Sequence, residues 1–138
     1  MAPTGLDGRP RYNRPMTERG VVLFAHGARD PRWAEPFERI RGIVAARRPD
    51  VAVGLAYLES MTPDLATAAR DMAAKGVKRL RVVPLFFGRG GHLREDFPQQ
   101  VARARAAAPG VEFDILAAAG EDGAVAEALA DFALAGLA

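Results

Sequence analysis

The chain has 138 residues, 49% hydrophobic and 26% charged, with a formal net charge of +2 and no cysteine. That length suits one domain with a single core, and the small charge gives no argument for nucleic acid. The lack of cysteine excludes disulfides, zinc–thiolate sites and protein-ligated iron–sulfur clusters, and no apolar run is long enough to cross a membrane.

Residues 1–19 carry Pro3, Pro10 and Pro15 and show no periodic apolar face. They read as a flexible N-terminal tail before a single α/β domain over 20–138. They also lack the apolar segment of a secretory signal, so a cytoplasmic location is expected. The apolar run 21–25 is short and rich in branched residues, as a buried strand is. Trp33, Phe37, Ile40 and Val44 then recur at helical spacing. Asp30 is placed to cap that helix with Pro31 at its first position, while Pro36 argues for a start nearer Ala34. The second strand is expected over 51–58. Thr62-Pro63 opens a second helix with Leu65, Ala69 and Met72 on its apolar side, and Gly76 stops it. The third strand, 80–87, is the most apolar. Asp96-Phe97-Pro98-Gln99 reads as a capping box for a helix running to about residue 107. A fourth strand over 111–117 and a last helix marked by Val125, Leu129 and Phe132 complete the chain.

Strands alternating with helices of this length form right-handed βαβ units. The expected fold is a three-layer α/β/α domain of the flavodoxin-like kind, with a four-stranded parallel sheet in the order 2-1-3-4. Such sheets bind ligands outside the carboxyl ends of their strands, where the strand order reverses. The only two histidines, His26 and His92, follow the first and third strands, and Glu59 follows the second. Each histidine is 33 residues from Glu59, so one strand–helix unit per interval places all three on the same rim.

Imidazole and carboxylate suit iron, cobalt, nickel or zinc, and three such groups leave coordination positions open. The imidazoles also suit proton transfer near neutral pH. A histidine after a strand is commonly a structural residue; the joint placement of the three argues for a metal or proton-transfer site. Arg29 and Arg32 follow the first histidine, and Arg89 and Arg94 flank the second. Guanidinium groups at a cleft mouth bind carboxylate or phosphate. The loop Gly88-Arg89-Gly90-Gly91 lacks both the dinucleotide fingerprint and the P-loop ending, and its glycines allow a large flat ligand to approach the backbone.

The segment Ala25-His26-Gly27-Ala28-Arg29-Asp30-Pro31 resembles the HGSRDP segment of the small sirohydrochlorin chelatases of the class II chelatase group. Tyr57-Leu58-Glu59 is similar to that family's strand-end glutamate. Pro84-Leu85-Phe86-Phe87, then Gly90-Gly91-His92 and Asp96-Phe97-Pro98, are similar to its PLFL…GGH…D-P segment. The resemblance runs from about residue 20 to 109. It implies a chelatase-like fold and a lyase-type chelatase that inserts a divalent metal into sirohydrochlorin, a tetrapyrrole with eight carboxylates. Cobalt would serve cobalamin biosynthesis and iron siroheme biosynthesis, with nickel a third candidate. The metal is a substrate, and no tightly bound cofactor is expected.

On that resemblance His26, His92 and Glu59 are the catalytic and metal-binding residues. Arg29, Arg32, Arg89, Gly90, Gly91 and Arg94 are the substrate-binding candidates. The short members are implied to work as homodimers, pairing two rims around one macrocycle. Two positions depart from the pattern: Ala28 replaces a serine, and Arg89 stands where a small residue is expected. The alternatives are a metal or tetrapyrrole carrier on the same fold, a histidine phosphatase and a nucleotide-binding flavodoxin-like module. Phosphatases of that kind have arginine before the histidine, where this chain has Ala25. The nucleotide module needs a Ser/Thr-rich loop in place of Gly27-Ala28-Arg29-Asp30.

Overall fold

Four apolar runs become four parallel strands: β1 (Arg19–Ala25), β2 (Ala52–Tyr57), β3 (Arg79–Pro84) and β4 (Glu112–Ile115). Their order is β2-β1-β3-β4, as the alternation of elements predicts. The computed structural model describes residues 18–88, 90 and 93–138. The tail expected over the first 17 residues lies outside them, as do the site candidates Arg89, Gly91 and His92. The sheet begins slightly earlier than expected. The Glu18 carbonyl accepts from the Lys78 and Arg79 amides, and Arg19 is in register with Arg79.

Alternate residues of each strand enter opposite faces, which is why the core has two parts. On one face Val22, Phe24, Leu80 and Val82 pack against α2 (Leu65–Ala74) and α3 (Leu93–Ala107), which contribute Leu65, Ala69, Met72, Phe97 and Ala104. On the other, Leu23, Ala25, Leu55 and Tyr57 pack beneath Trp33 and Phe37. Phe37 belongs to α1 (Glu35–Arg47). This second face changes character across the sheet. On β3 and β4 it carries cross-strand ion pairs, Arg79 with Glu112 at 3.3 Å and Arg81 with Asp114 at 2.8 Å. The last helix, α4 (Gly123–Leu134), buries none of its residues and leaves Phe132 and Leu134 exposed.

The two readings of the first helix start are both realised. Asp30 caps a 3₁₀ turn, Pro31–Ala34, by accepting from the Arg32 amide, and α1 follows with Pro36 in its first turn. The second helix is a correction. Its cap is Asp64, whose carboxylate accepts from the Thr67 amide at 2.8 Å, and not Thr62. Pro63 precedes the helix, and its carbonyl is taken by the Tyr57 amide at the end of β2. Gly76 ends the helix with φ of 95°. The third helix is a second correction. It starts at Leu93, so Asp96 lies in its first turn and Pro98 inside it. Among the described residues no helix is long and apolar enough to cross a membrane.

Candidate functional site

The carboxyl ends of the strands continue past the regular ladder, and that continuation builds the site. The Leu58 amide donates to the Ala25 carbonyl at 2.9 Å, and the Glu59 amide to the His26 carbonyl at 3.1 Å. The pairing of β1 with β2 therefore extends to the two residues that carry the chemistry. Glu59 is then locked by a tight turn. Its carbonyl accepts from the Met61 amide at 2.8 Å, with Ser60 between them at φ of 63°.

Gly27 completes the arrangement. Its φ is 93°, and a Cβ built on it would lie 1.8 Å from the Glu59 carbonyl oxygen. Only glycine lets the β1 and β2 loops approach this closely. The consequence is a direct contact between the side chains: His26 Nε2 lies 3.0 Å from Glu59 Oε1. Both side chains stay open to solvent, 51% and 61% exposed. An ionised carboxylate only accepts, so the bond puts a proton on Nε2 and leaves the lone pair of a neutral ring on Nδ1.

The same separation suits a cation. A divalent ion about 2.1 Å from each atom would see them roughly 90° apart, the angle between adjacent ligands of a six-coordinate ion. The pair can therefore share a proton or, once that proton leaves, hold two positions on a metal. Among the described residues no cluster of three metal-ligating side chains occurs, and His92 lies outside them.

Beneath His26 the floor is aromatic. The Phe86 ring meets the imidazole edge-on at 6.5 Å and packs on Phe24 and Phe97 at 5.8 and 6.5 Å. Residues 86 and 87 fall in the run read as strand, but β3 ends at Pro84 and they form part of the rim. Phe86 is buried there and Phe87 exposed. Sequence reasoning missed both, because an apolar run longer than the ladder looks like more strand.

The arginines divide. Arg32 is engaged by its own loop: Nε and Nη2 both donate to the Asp30 carboxylate, the latter at 2.7 Å. That side-chain bond holds Asp30 below the usual carboxylate range. Arg29 is exposed at the mouth of the β1 loop and makes no ion pair with a described residue. Arg94 is exposed in the first turn of α3, and Gly90 accepts from the Leu93 amide where that helix begins. A separate cleft of about 590 Å³ lies at the opposite, amino end of the strands, lined by Arg19, Arg48, Arg79, Arg81, Glu112 and Asp114. Both of its carboxylates are paired to Arg79 and Arg81, and it contains neither His26 nor Glu59.

The sequence model of the CbiX family matches residues 20–133. A sirohydrochlorin cobaltochelatase of Sulfurisphaera tokodaii is 30% identical over 110 residues, 80% of this chain and 87% of the relative. One of Methanococcoides burtonii is 31% identical over 85 residues, 61% of this chain. That alignment and those to related archaeal enzymes span about 65% of the relatives' own length. Among solved structures, a cobalamin biosynthesis CbiX protein of Marinobacter aquaeolei superposes with a TM-score of 0.72 at 31% identity, covering 83% of this chain and 93% of that one. A multi-domain protein of Deinococcus radiodurans shares the fold at 20% identity, with a TM-score of 0.64 over 91% of this chain and 26% of its own. With the family's pattern running across nearly all of the described sheet and helices, the chain belongs to the CbiX family.

Proposed function

We propose that this chain is a sirohydrochlorin chelatase that inserts a divalent metal, cobalt in the first instance, into the tetrapyrrole. The observation that carries the reading is the His26–Glu59 pair, held 3.0 Å apart on an open sheet rim. Cobalt is favoured by the names of the relatives, each a sirohydrochlorin cobaltochelatase; iron and nickel are the competing ions. The reaction exchanges two pyrrole N–H protons for one metal ion, without change of oxidation state. Glu59 and His26 offer the metal two adjacent ligands, His92 is proposed as the third, and a histidine takes up the departing protons one at a time, passing the first to solvent before accepting the second. The proposed compartment is the cytoplasm.

The test is a chelation assay on sirohydrochlorin with cobalt, ferrous iron and nickel in parallel. Insertion with turnover supports the enzyme. Stoichiometric binding of metal or tetrapyrrole without turnover would make the protein a carrier. The same assay tests the arginine rim. If Arg29, Arg94 and Arg89 bind substrate carboxylates, the apparent affinity weakens as salt rises, because exposed charge pairs are screened. An affinity unchanged between low and high salt would remove the carboxylates from recognition.

The proposed assembly is a homodimer. One rim covers one side of a macrocycle, whereas ligand sites of this size usually bury most of the ligand. A two-fold pair would close two rims around it. The exposed apolar residues of α4, Phe132 and Leu134, also favour association. Sedimentation at micromolar concentration is expected to show a dimer. A monomer inserting metal at full rate would exclude a shared cleft.

A further inference from the structure

Phe87 is a large aromatic side chain, 78% exposed, on the rim where the site lies. Its neighbour Phe86 is held in the aromatic cluster under His26, and the Leu85 amide is bonded to the Phe24 carbonyl at 2.8 Å. Phe87 therefore stands one strand over from the histidine, since β1 and β3 are adjacent.

Its backbone is also fixed from the other side. The Gly120 amide donates to the Phe86 carbonyl at 2.8 Å. A Cβ built on Gly120 would lie 2.2 Å from the Phe87 carbonyl oxygen and 2.3 Å from its Cα. The loop after β4 thus rests directly on the Phe87 backbone, with no side chain between them. An exposed ring on a backbone seated against the turn after β4, two residues past the last bond to β1, is a flat apolar surface with a fixed base. Phe132 is exposed to the same degree, but it sits about two and a half turns into α4, away from the loop that touches the rim.

Resting on the proposed chelatase reading, we infer that Phe87 is the surface on which the tetrapyrrole ring stacks. Gly120 is a positioning residue that sets where that surface stands. Recognition then has two components: arginines for the carboxylates, and an aromatic face for the conjugated ring. Offset stacking on an exposed aromatic ring is selective for flat π-systems and indifferent to their substituents.

The test compares wild type with Phe87→Ala, Phe87→Trp, Gly120→Ala and the Phe87→Ala/Gly120→Ala double variant, measuring sirohydrochlorin affinity, turnover and sedimentation. Phe87→Ala is expected to weaken sirohydrochlorin binding by about 5- to 150-fold, the range typical of stacking on an aromatic side chain. Turnover at saturating substrate should fall far less, and the melting temperature should not move. Phe87→Trp should restore affinity, with the added indole quenched on binding. Gly120→Ala should weaken binding in the wild-type background and add little in Phe87→Ala, because a residue that acts through the ring has nothing left to position.

Wild-type affinity in Phe87→Ala, in a protein that inserts metal normally, would overturn the stacking role. A slower-sedimenting Phe87→Ala species would assign the ring to a protein interface and overturn it as well. Equal losses for Gly120→Ala in both backgrounds would overturn the positioning role. If wild type neither binds nor metallates sirohydrochlorin, the chelatase reading falls first and the inference with it.

Discussion

Replacing His26 with alanine is expected to abolish metal insertion while leaving the fold intact. The side chain is about half exposed, so its removal opens no cavity in the core. A surface change of this kind usually moves stability by no more than about 0.5 kcal/mol. Chemistry should respond differently, because the ring is both a proposed ligand and a proposed proton acceptor. Loss of a positioned acid–base group alone costs about 10²- to 10⁴-fold. The same outcome is expected for His92→Ala. Glu59→Ala should be milder, on the order of 10- to 100-fold, because both histidines remain to hold the metal once the carboxylate and its bond to His26 are gone. The check is chelation kinetics alongside a thermal melt. Near-normal turnover in both histidine variants would refute the mechanism.

Gly27→Ala should damage stability and activity together, unlike the histidine variants. The backbone at φ of 93° disfavours any side chain, and the new methyl would overlap the Glu59 carbonyl. The carbonyl cannot easily retreat, because Met61 holds it from the far side. Strain and overlap together are expected to cost on the order of 3 kcal/mol, a fall of roughly 10 °C in melting temperature. Whatever relaxation relieves the overlap separates the β1 and β2 loops, and with them His26 from Glu59. An alanine variant with wild-type melting behaviour and turnover would show that this approach does not matter.

The sheet order was legible because period and punctuation agreed: short branched runs, then helical spacing, then Gly or Pro, four times over. The meeting of His26 and Glu59 was legible for a related reason, since a constant strand–helix interval returns the chain to the same rim. Helix starts were harder. Thr62 and Asp64 are both good caps two residues apart, and the choice was made by a tertiary bond, Tyr57 to Pro63, that no local signal announces. Asp96 with Pro98 looked like a start because acidic residues and proline favour first turns, but Leu93 had already begun the helix. Gly120 carried no local sign of its role. Its importance lies in a contact with Phe87, 33 positions away in the chain. His92, which lies outside the described residues, is related to the pair by the 33-residue spacing and by the family resemblance.

The amides of Leu58 and Glu59 are bonded to the carbonyls of Ala25 and His26, so the backbone under the pair is the last rung of the β1–β2 ladder. Small openings of a native protein begin where few bonds must break, at frayed ends and free loops. Parting the backbones under His26 and Glu59 instead means breaking both of those bonds and lifting Gly27 off the Glu59 carbonyl, which the Met61 amide holds from its far side. The two groups therefore meet a substrate already aligned, and their backbone has little freedom left to lose when it arrives.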